Sequence, residues 1–266
     1  MDVIRINKTK RKLAAGELAV GAVIGTPAPE LVEVAAVAGF DFVTFDAEHE
    51  PLDDCQLVNL IRAAEAFDIT PIVRVAKNPD RLLRLLDAGV QGVHVPRCST
   101  VADMQELVDC TRFYPQGQRT FYRLGRGGNF THGMSDQEWS QRANEELLVV
   151  AMIEEASALD HLTPMLAIKG YDAVHIGPKD LWQSMGMPPK EEVDKAVQQI
   201  AAAVLASGKK LSMQFQLGGI DDLSPQIAGY QRMGASMTSI TLLNLLLKEG
   251  SAFAKKMRGG SARASG

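Results

Sequence analysis

Two rhythms of apolar residues alternate along the chain. Short runs rich in β-branched and aliphatic side chains, at Ala19 to Ile24, around Phe42 to Phe45, at Pro71 to Val75 and at Gln91 to Val95, have the length and composition of buried strands. Between them the apolar positions fall three and four apart, the helical period: Pro27 to Val37, a helix capped by Asp53 and running through Phe67, Asn78 to Ala88, and a helix capped by Ser99 and running through Arg112. A short amphipathic helix, Ile4 to Ala15, precedes the series and stops at Gly16. Strand runs without polar alternation are covered on both faces, so four strand and helix pairs in succession predict a parallel sheet with right-handed crossovers.

The rhythm stops between Phe113 and Glu145. No period is sustained there, but the segment holds Gly117, Gly125, Gly127, Gly128 and Gly133, Arg119, Arg123 and Arg126, and the aromatics Phe121, Tyr122 and Phe130. A connection that long and structureless is expected to cover a site or an interface. The alternation then resumes with strand Leu147 to Ile153, helix Leu159 to Ile168, strand Ala173 to Ile176, helix Glu191 to Ala206, strand Leu211 to Phe215 and strand Ser236 to Ile240. Eight strands favour a closed α/β fold, a (β/α)8 TIM barrel, over an open sheet. A single barrel domain over residues 1–258 is expected, ending in a helix from Leu242 to Met257, with 259–266 as a flexible tail.

Composition narrows the class of partner. At 266 residues, 46% hydrophobic and 23% charged, the chain suits one barrel of roughly 250 residues. A net charge of −4 gives no basic footprint for nucleic acid or for a membrane surface, so a small molecule is the expected partner. Cys55, Cys98 and Cys110 are odd in number and lack CxxC spacing, which argues against a disulfide framework and for a reducing, cytoplasmic setting. Met1 to Lys12 lacks the apolar core of a signal peptide, and no run approaches ~20 apolar residues, so neither export nor membrane insertion is expected.

Barrel enzymes carry their chemistry just past the strand ends. There the chain places Asp46, Glu48, His49 and Glu50 after the second strand, Arg74 on the third, Arg97 after the fourth, Glu154 on the fifth, and Lys179 and Asp180 after the sixth. Glu154 and Asp180, two carboxylates from neighbouring strands with no His or Cys beside them, suit a hard cation such as Mg2+ or Mn2+. The turn Ile176-Gly177-Pro178-Lys179-Asp180-Leu181 enters an expected helix, so its backbone N–H groups suit a substrate carboxylate. Arg74 suits a developing oxyanion and His49 a proton transfer. Each also has a plainer reading. Glu154 alone reads as a solvated loop residue, Arg74 in its apolar strand as half of an internal salt bridge, and Asp87 as a polar residue at a helix end. His94 and His175 read as hydrogen-bonded core histidines, His132 and His161 as exposed ones.

At these positions the sequence resembles the HpcH/HpaI aldolases, metal-dependent class II pyruvate aldolases that cleave 2-keto-3-deoxy or 4-hydroxy-2-oxo acids. The likeness runs from about Lys12 to Met187 and rests on Ala38-Gly39-Phe40-Asp41, Asp46-Ala47-Glu48-His49, Pro71-Ile72-Val73-Arg74, Leu86-Asp87-Ala88-Gly89-Val90-Gln91-Gly92, Val95-Pro96, Ile153-Glu154 and Ile176-Gly177-Pro178-Lys179-Asp180-Leu181. It implies a (β/α)8 barrel that uses a divalent metal (Mg2+, Mn2+ or Co2+), with Glu154 and Asp180 as metal ligands. It further implies that His49 is the acid/base, Arg74 stabilises the enolate, Asp87 raises the basicity of the histidine, and the Gly177, Pro178, Lys179 and Asp180 backbone receives the pyruvate carboxylate.

Departures from the family fall at the barrel mouth. Met152 stands where the family has Gln, which removes a donor toward the substrate. Arg97 follows "VP" where an apolar residue is usual, and Trp182-Gln183 replace smaller residues. The reading is an aldolase acting on a keto acid and an aldehyde. The alternatives are oxaloacetate decarboxylation or another carbon-carbon chemistry on the same scaffold, and a barrel that binds a keto acid without turnover. Leu242, Leu243, Leu245, Leu246 and Leu247 make the last helix apolar on more than one face, and the resemblance implies a homo-hexamer, a trimer of dimers, that exchanges this helix between subunits.

Overall fold

A computed structural model describes residues 4–215 and 223–261. After a first helix, α1 (Lys8–Ala14), strands and helices alternate: β1 (Ala19–Ile24), α2 (Pro29–Val37), β2 (Phe42–Asp46), α3 (Asp54–Ala66), β3 (Thr70–Arg74), α4 (Pro79–Asp87), β4 (Gly92–Val95), α5 (Val101–Thr111). A 3-10 turn (Arg126–Thr131) and α6 (Asp136–Glu146) lead to β5 (Leu148–Ile153) and α7 (Leu162–Ala167). The chain finishes with β6 (Ala173–Ile176), α8 (Pro178–Ser184), α9 (Lys190–Ala206), β7 (Lys210–Phe215), α10 (Ser224–Arg232), β8 (Met237–Thr241) and α11 (Leu242–Ser261). The strands pair in sequence order, all parallel, and β1 pairs with β8 to close the barrel. The eight expected strands are the eight observed. Among the described residues no helix is long and apolar enough to cross a membrane.

Two apolar layers hold the barrel. Outside it, strand residues such as Val43, Phe45, Val73, Val93 and Val149 pack against the inner faces of the helices. Inside, Phe42, Ile72, Leu148 and Met237 fill the lumen near the strand starts, with Leu13 of α1 beneath them. Gly21 makes room for this: a Cβ there would lie 2.2 Å from the Phe42 ring. The lumen turns polar toward the strand ends, where Thr44, Arg74, His94, His175, Ser212 and Gln214 line a cavity of about 10 Å³, the size of one water. His94 and His175 are buried as expected, but only His175 has its hydrogen bond, Nδ1 to Ser212 Oγ at 2.9 Å; His94 Nε2 has no partner among the described residues. His132 and His161 are exposed.

Capping explains the helix starts. Asp53 and Gln56 form a reciprocal capping box at α3. At α5 the cap is Thr100, paired with Asp103, and not Ser99, whose N–H is instead held by the Asp103 carboxylate at 3.1 Å. The segment 113–145 is also corrected, because it contains α6. This helix buries only Trp139, Asn144 and Glu146 and has no apolar stripe to show a period. Polar contacts fix it: Asn144 exchanges hydrogen bonds with Phe113 N–H (2.8 Å) and Phe113 C=O (2.9 Å), and the buried Arg112 guanidinium donates to Asn144 O, Leu147 O, Gly170 O and Asp172. The last helix continues to Ser261, past the Met257 expected as its end, and the remainder of the expected tail lies outside the described residues.

Candidate active site

Parallel register puts Asp46 beside Arg74 at the ends of β2 and β3. Arg74 Nε donates to Asp46 Oδ1 at 3.0 Å and Nη2 to Asp46 Oδ2, a two-pronged pair that locks the guanidinium plane. Glu48 Oε2 stands 3.7 Å from Nε. Asp46 Oδ1 also receives the backbone N–H groups of Glu48 (3.2 Å) and His49 (3.3 Å), which folds the chain past β2 into a turn. Burial pushes the Asp46 carboxyl up, but the Arg74 hydrogen bond and charge outweigh it and hold it below the usual range. Burial likewise works against the Arg74 cation, and Asp46, Glu48 and Glu154 together raise its pKa further. Nη1 has no acceptor among the described residues, so one edge of a half-buried, rigid cation is free for a ligand oxygen.

Glu154 directly follows β5 and is 6% exposed. Its Oε1 accepts the Arg97 N–H at 2.8 Å, and Arg97 presents that N–H from a left-handed backbone, φ +56°. One hydrogen bond does not offset the burial of a charge. The Glu154 pKa is pushed up to about 7, first by burial and then by the nearby Asp180 and Glu48 carboxylates, against the Arg97 N–H and Arg74. Gly177 closes over this group: a Cβ there would fall 2.5 Å from Met152 Cε and 2.9 Å from Glu154 Cβ, so only glycine lets the β6 to α8 turn lie so close. Pro178 begins α8 and fixes the turn, and Lys179 and Asp180 stand exposed in its first turn.

His49 is the accessible member of the group, its side chain 60% exposed, with Nε2 3.5 Å from Glu48 Oε2. The structure thus brings His49, Arg74, Glu154, Gly177, Pro178, Lys179 and Asp180 to one end of the barrel. It does not bring Asp87 there within the same chain. A helix returns antiparallel to its strand, so the last residue of α4 lies at the strand-start end, where Asp87 Oδ1 takes the Arg119 Nη2–H at 2.8 Å. Conversely, Asp46 and Glu48 emerge as partners of Arg74. Their strand-end spacing was visible in the sequence, but the pairing required the register of β2 on β3.

Among the described residues no three His, Cys, Asp or Glu side chains converge to cage a metal on their own. A hard cation that keeps water and takes substrate oxygens needs fewer protein ligands, and a buried carboxylate beside Asp180 with an unmet charge is a donor set of that kind.

Known proteins resemble this chain over most of its length. Residues 23–233 match the HpcH/HpaI aldolase/citrate lyase family. The chain is 32% identical over 250 residues to a pyruvate aldolase of Rhizobium etli, covering 92% of this chain and 95% of that one. It is 34% identical over 213 residues to a hydroxypyruvate/pyruvate aldolase of Cupriavidus necator, 76% of each. Of the solved structures, the citrate synthase SbnG superposes with a TM-score of 0.81 at 30% identity, covering 95% of this chain and 98% of that one. With a match that spans most of the barrel and includes every strand-end residue described above, the chain belongs to the HpcH/HpaI aldolase/citrate lyase family.

Proposed function

We propose that this barrel is a carbon-carbon lyase that cleaves a 4-hydroxy-2-oxo acid into pyruvate and an aldehyde, with Glu154 and Asp180 holding Mg2+ or Mn2+. The observation that carries the reading is Glu154, a buried carboxylate raised to about 7 beside two further acids, which a cation would neutralise. When bound, such a cation draws electron density from the keto oxygen and so eases departure of the carbon that becomes the enolate. The remaining work falls to the chain. The free edge of Arg74, held rigid by Asp46, faces the oxygen on which negative charge develops. His49, exposed and beside Glu48, takes the proton of the C4 hydroxyl as the bond breaks and returns it in the reverse direction. Pro178 has no N–H and the Gly177 N–H already donates to Ile153 O (3.1 Å), so Lys179 and Asp180 supply the donors for the pyruvate carboxylate.

Asp87 takes part in this scheme only from a second copy of the chain. Leu246, Leu247, Phe253 and Met257 of α11 lie more than half exposed, which supports a helix that packs on a neighbouring barrel in a hexamer. The second reading is decarboxylation of oxaloacetate to pyruvate and carbon dioxide, or another carbon-carbon chemistry, on the same scaffold. It is supported by the likeness to a citrate synthase and by Met152, which offers the substrate no hydrogen bond where the family uses Gln. A retro-aldol assay on a panel of 4-hydroxy-2-oxo acids, coupled to pyruvate detection with and without Mg2+ or Mn2+, separates the readings. Metal-dependent pyruvate release that is lost in Glu154→Ala and Asp180→Ala is the expected result. Turnover of oxaloacetate alone favours the second reading, and binding without turnover of any compound leaves a keto-acid-binding barrel.

A further inference from the structure

The mouth of the site carries two cations without a counter-ion. Arg97 follows β4 and Lys179 stands in the first turn of α8, so the two come from loops on either side of β5 and straddle Glu154. Arg97 gives its N–H to Glu154 Oε1 at 2.8 Å, while a Cβ on Gly177, two residues before Lys179, would lie 3.0 Å from Glu154 Oε2. Both residues are exposed, and neither the Arg97 guanidinium nor the Lys179 ammonium has a hydrogen-bond or ion-pair partner among the described residues. The acids nearby are engaged elsewhere: Asp46 with Arg74, Glu48 beside Arg74 and His49, and Glu155 with the Ser99 hydroxyl at 2.6 Å. With Glu154 and Asp180 given over to a divalent cation, the two charges that flank them stay unmatched.

A solvated lysine or arginine on a surface is ordinary; the placement of Arg97 is not. Its φ of +56° lies in the left-handed region, which glycine or asparagine adopts with less strain. The N–H bond to Glu154 fixes that backbone, so a long cationic side chain stands where the conformation suits a small residue. The keto half of a substrate is held low in the site, at Glu154 and the Lys179 and Asp180 N–H groups, so its other half extends toward the mouth, where the exposed ends of the Arg97 and Lys179 side chains are.

We propose that Arg97 and Lys179 form the outer end of the substrate pocket and bind a terminal phosphate, so that the substrate is a 4-hydroxy-2-oxo acid with a phosphate ester at its far end. This rests on the aldolase reading of the same site. Cleavage breaks the C3–C4 bond, passes the C4 hydroxyl proton to His49 and leaves a phosphorylated aldehyde and, once the enolate has taken a proton from water, pyruvate. Two unmatched cations are balanced by a dianion and not by a single carboxylate. A phosphate also directs its oxygens three ways and can be met from both sides of Glu154, by the fork of Arg97 and the point charge of Lys179, whereas the two oxygens of a carboxylate share one plane and one edge.

In the synthetic direction, with pyruvate and Mn2+, glyceraldehyde 3-phosphate and glyceraldehyde differ only in the phosphate. Wild type should favour the phosphorylated aldehyde by at least about tenfold in kcat/KM, and the preference should shrink as ionic strength rises. Arg97→Ala and Lys179→Gln should each cut this ratio by about fivefold or more, and the double variant should bring it near one. The ratio is taken within each variant, so a general loss of turnover does not imitate the result; Arg97→Lys should keep part of it, and Lys179→Gln carries the test if Arg97→Ala does not fold. Exchange of pyruvate methyl protons with deuterated solvent needs no aldehyde and reports on the aldolase reading separately. No exchange in wild type removes that reading and this inference together. Exchange with a wild-type ratio near one, a ratio untouched in the double variant, or succinic semialdehyde used as well as glyceraldehyde 3-phosphate overturns the phosphate site alone.

Discussion

Glu154 is where the protein bears the cost of a site. Its pKa is about 7 in the folded chain against 4.5 unfolded, so between those values the folded state keeps a proton that the unfolded state has released. Stability of the metal-free protein therefore falls as pH rises through this window, and the full penalty, roughly 3 kcal/mol, stands above pH ~7. Glu154→Gln removes the titration. Thermal unfolding without divalent metal should show the variant more stable than wild type at pH 8 and equal to it near pH 4.5; equal melting temperatures at both values would mean that the carboxylate is not strained. Arg74 and His49 separate kinetically. Exchange of pyruvate methyl protons with solvent needs the enolate but no aldehyde, so Arg74→Ala should suppress both exchange and cleavage, whereas His49→Ala should lower cleavage by about 10²–10⁴ and leave pyruvate binding largely intact. Wild-type exchange in Arg74→Ala would reduce Arg74 to a salt-bridge residue. The sequence showed that a guanidinium inside Pro71-Ile72-Val73-Arg74-Val75 needs a partner. The salt-bridge reading holds, since Asp46 takes two of its nitrogens, and the third is left for the oxyanion of the proposed function.

Among the elements, those the sequence revealed are those that apolar burial creates. Strands buried on both faces leave continuous runs, and helices on the barrel leave a three-to-four spacing, so all eight strands fell within a residue or two of their observed bounds. Helix α6 left no such trace because side-chain to backbone hydrogen bonds hold it, and neither Asn144 nor Arg112 marks a period. Arg112 is 2% exposed and donates to three carbonyls, two at the end of α6 and one before β6, as well as to Asp172. Arg112→Met keeps the volume but strands those acceptors, and should cost about 3–5 kcal/mol, read as a lower denaturant midpoint with α6 the first segment to lose amide protection. A midpoint within error of wild type would show that water replaces the guanidinium. Asp87 illustrates the opposite limit: its motif was plain in the sequence, but which end of the barrel it occupies depends on the direction of α4.

For the molecule as a whole, that placement ties the proposed role of Asp87 to the proposed oligomer. His49 stands at the strand-end face and Asp87 at the strand-start face, so a His49 and Asp87 pair forms only where the bottom of one barrel meets the top of another. The exposed apolar face of α11 supplies a reason for copies to associate, since Leu246, Leu247 and Phe253 together leave a stripe of hydrocarbon in water. Two inactive variants test both points at once. His49→Ala retains Asp87 and Asp87→Ala retains His49; each alone should be nearly inactive, and every homo-oligomer should stay so. Co-expressed with different affinity tags and purified through both, the mixed oligomer should regain a substantial fraction of wild-type turnover, because some of its sites combine an intact His49 with an intact Asp87 from the neighbour. Leu246→Asp with Leu247→Asp in both chains should abolish the mixed species by light scattering and the recovered activity with it. Mixed oligomers that form and remain inactive would leave Asp87 as the buried partner of Arg119 and nothing more.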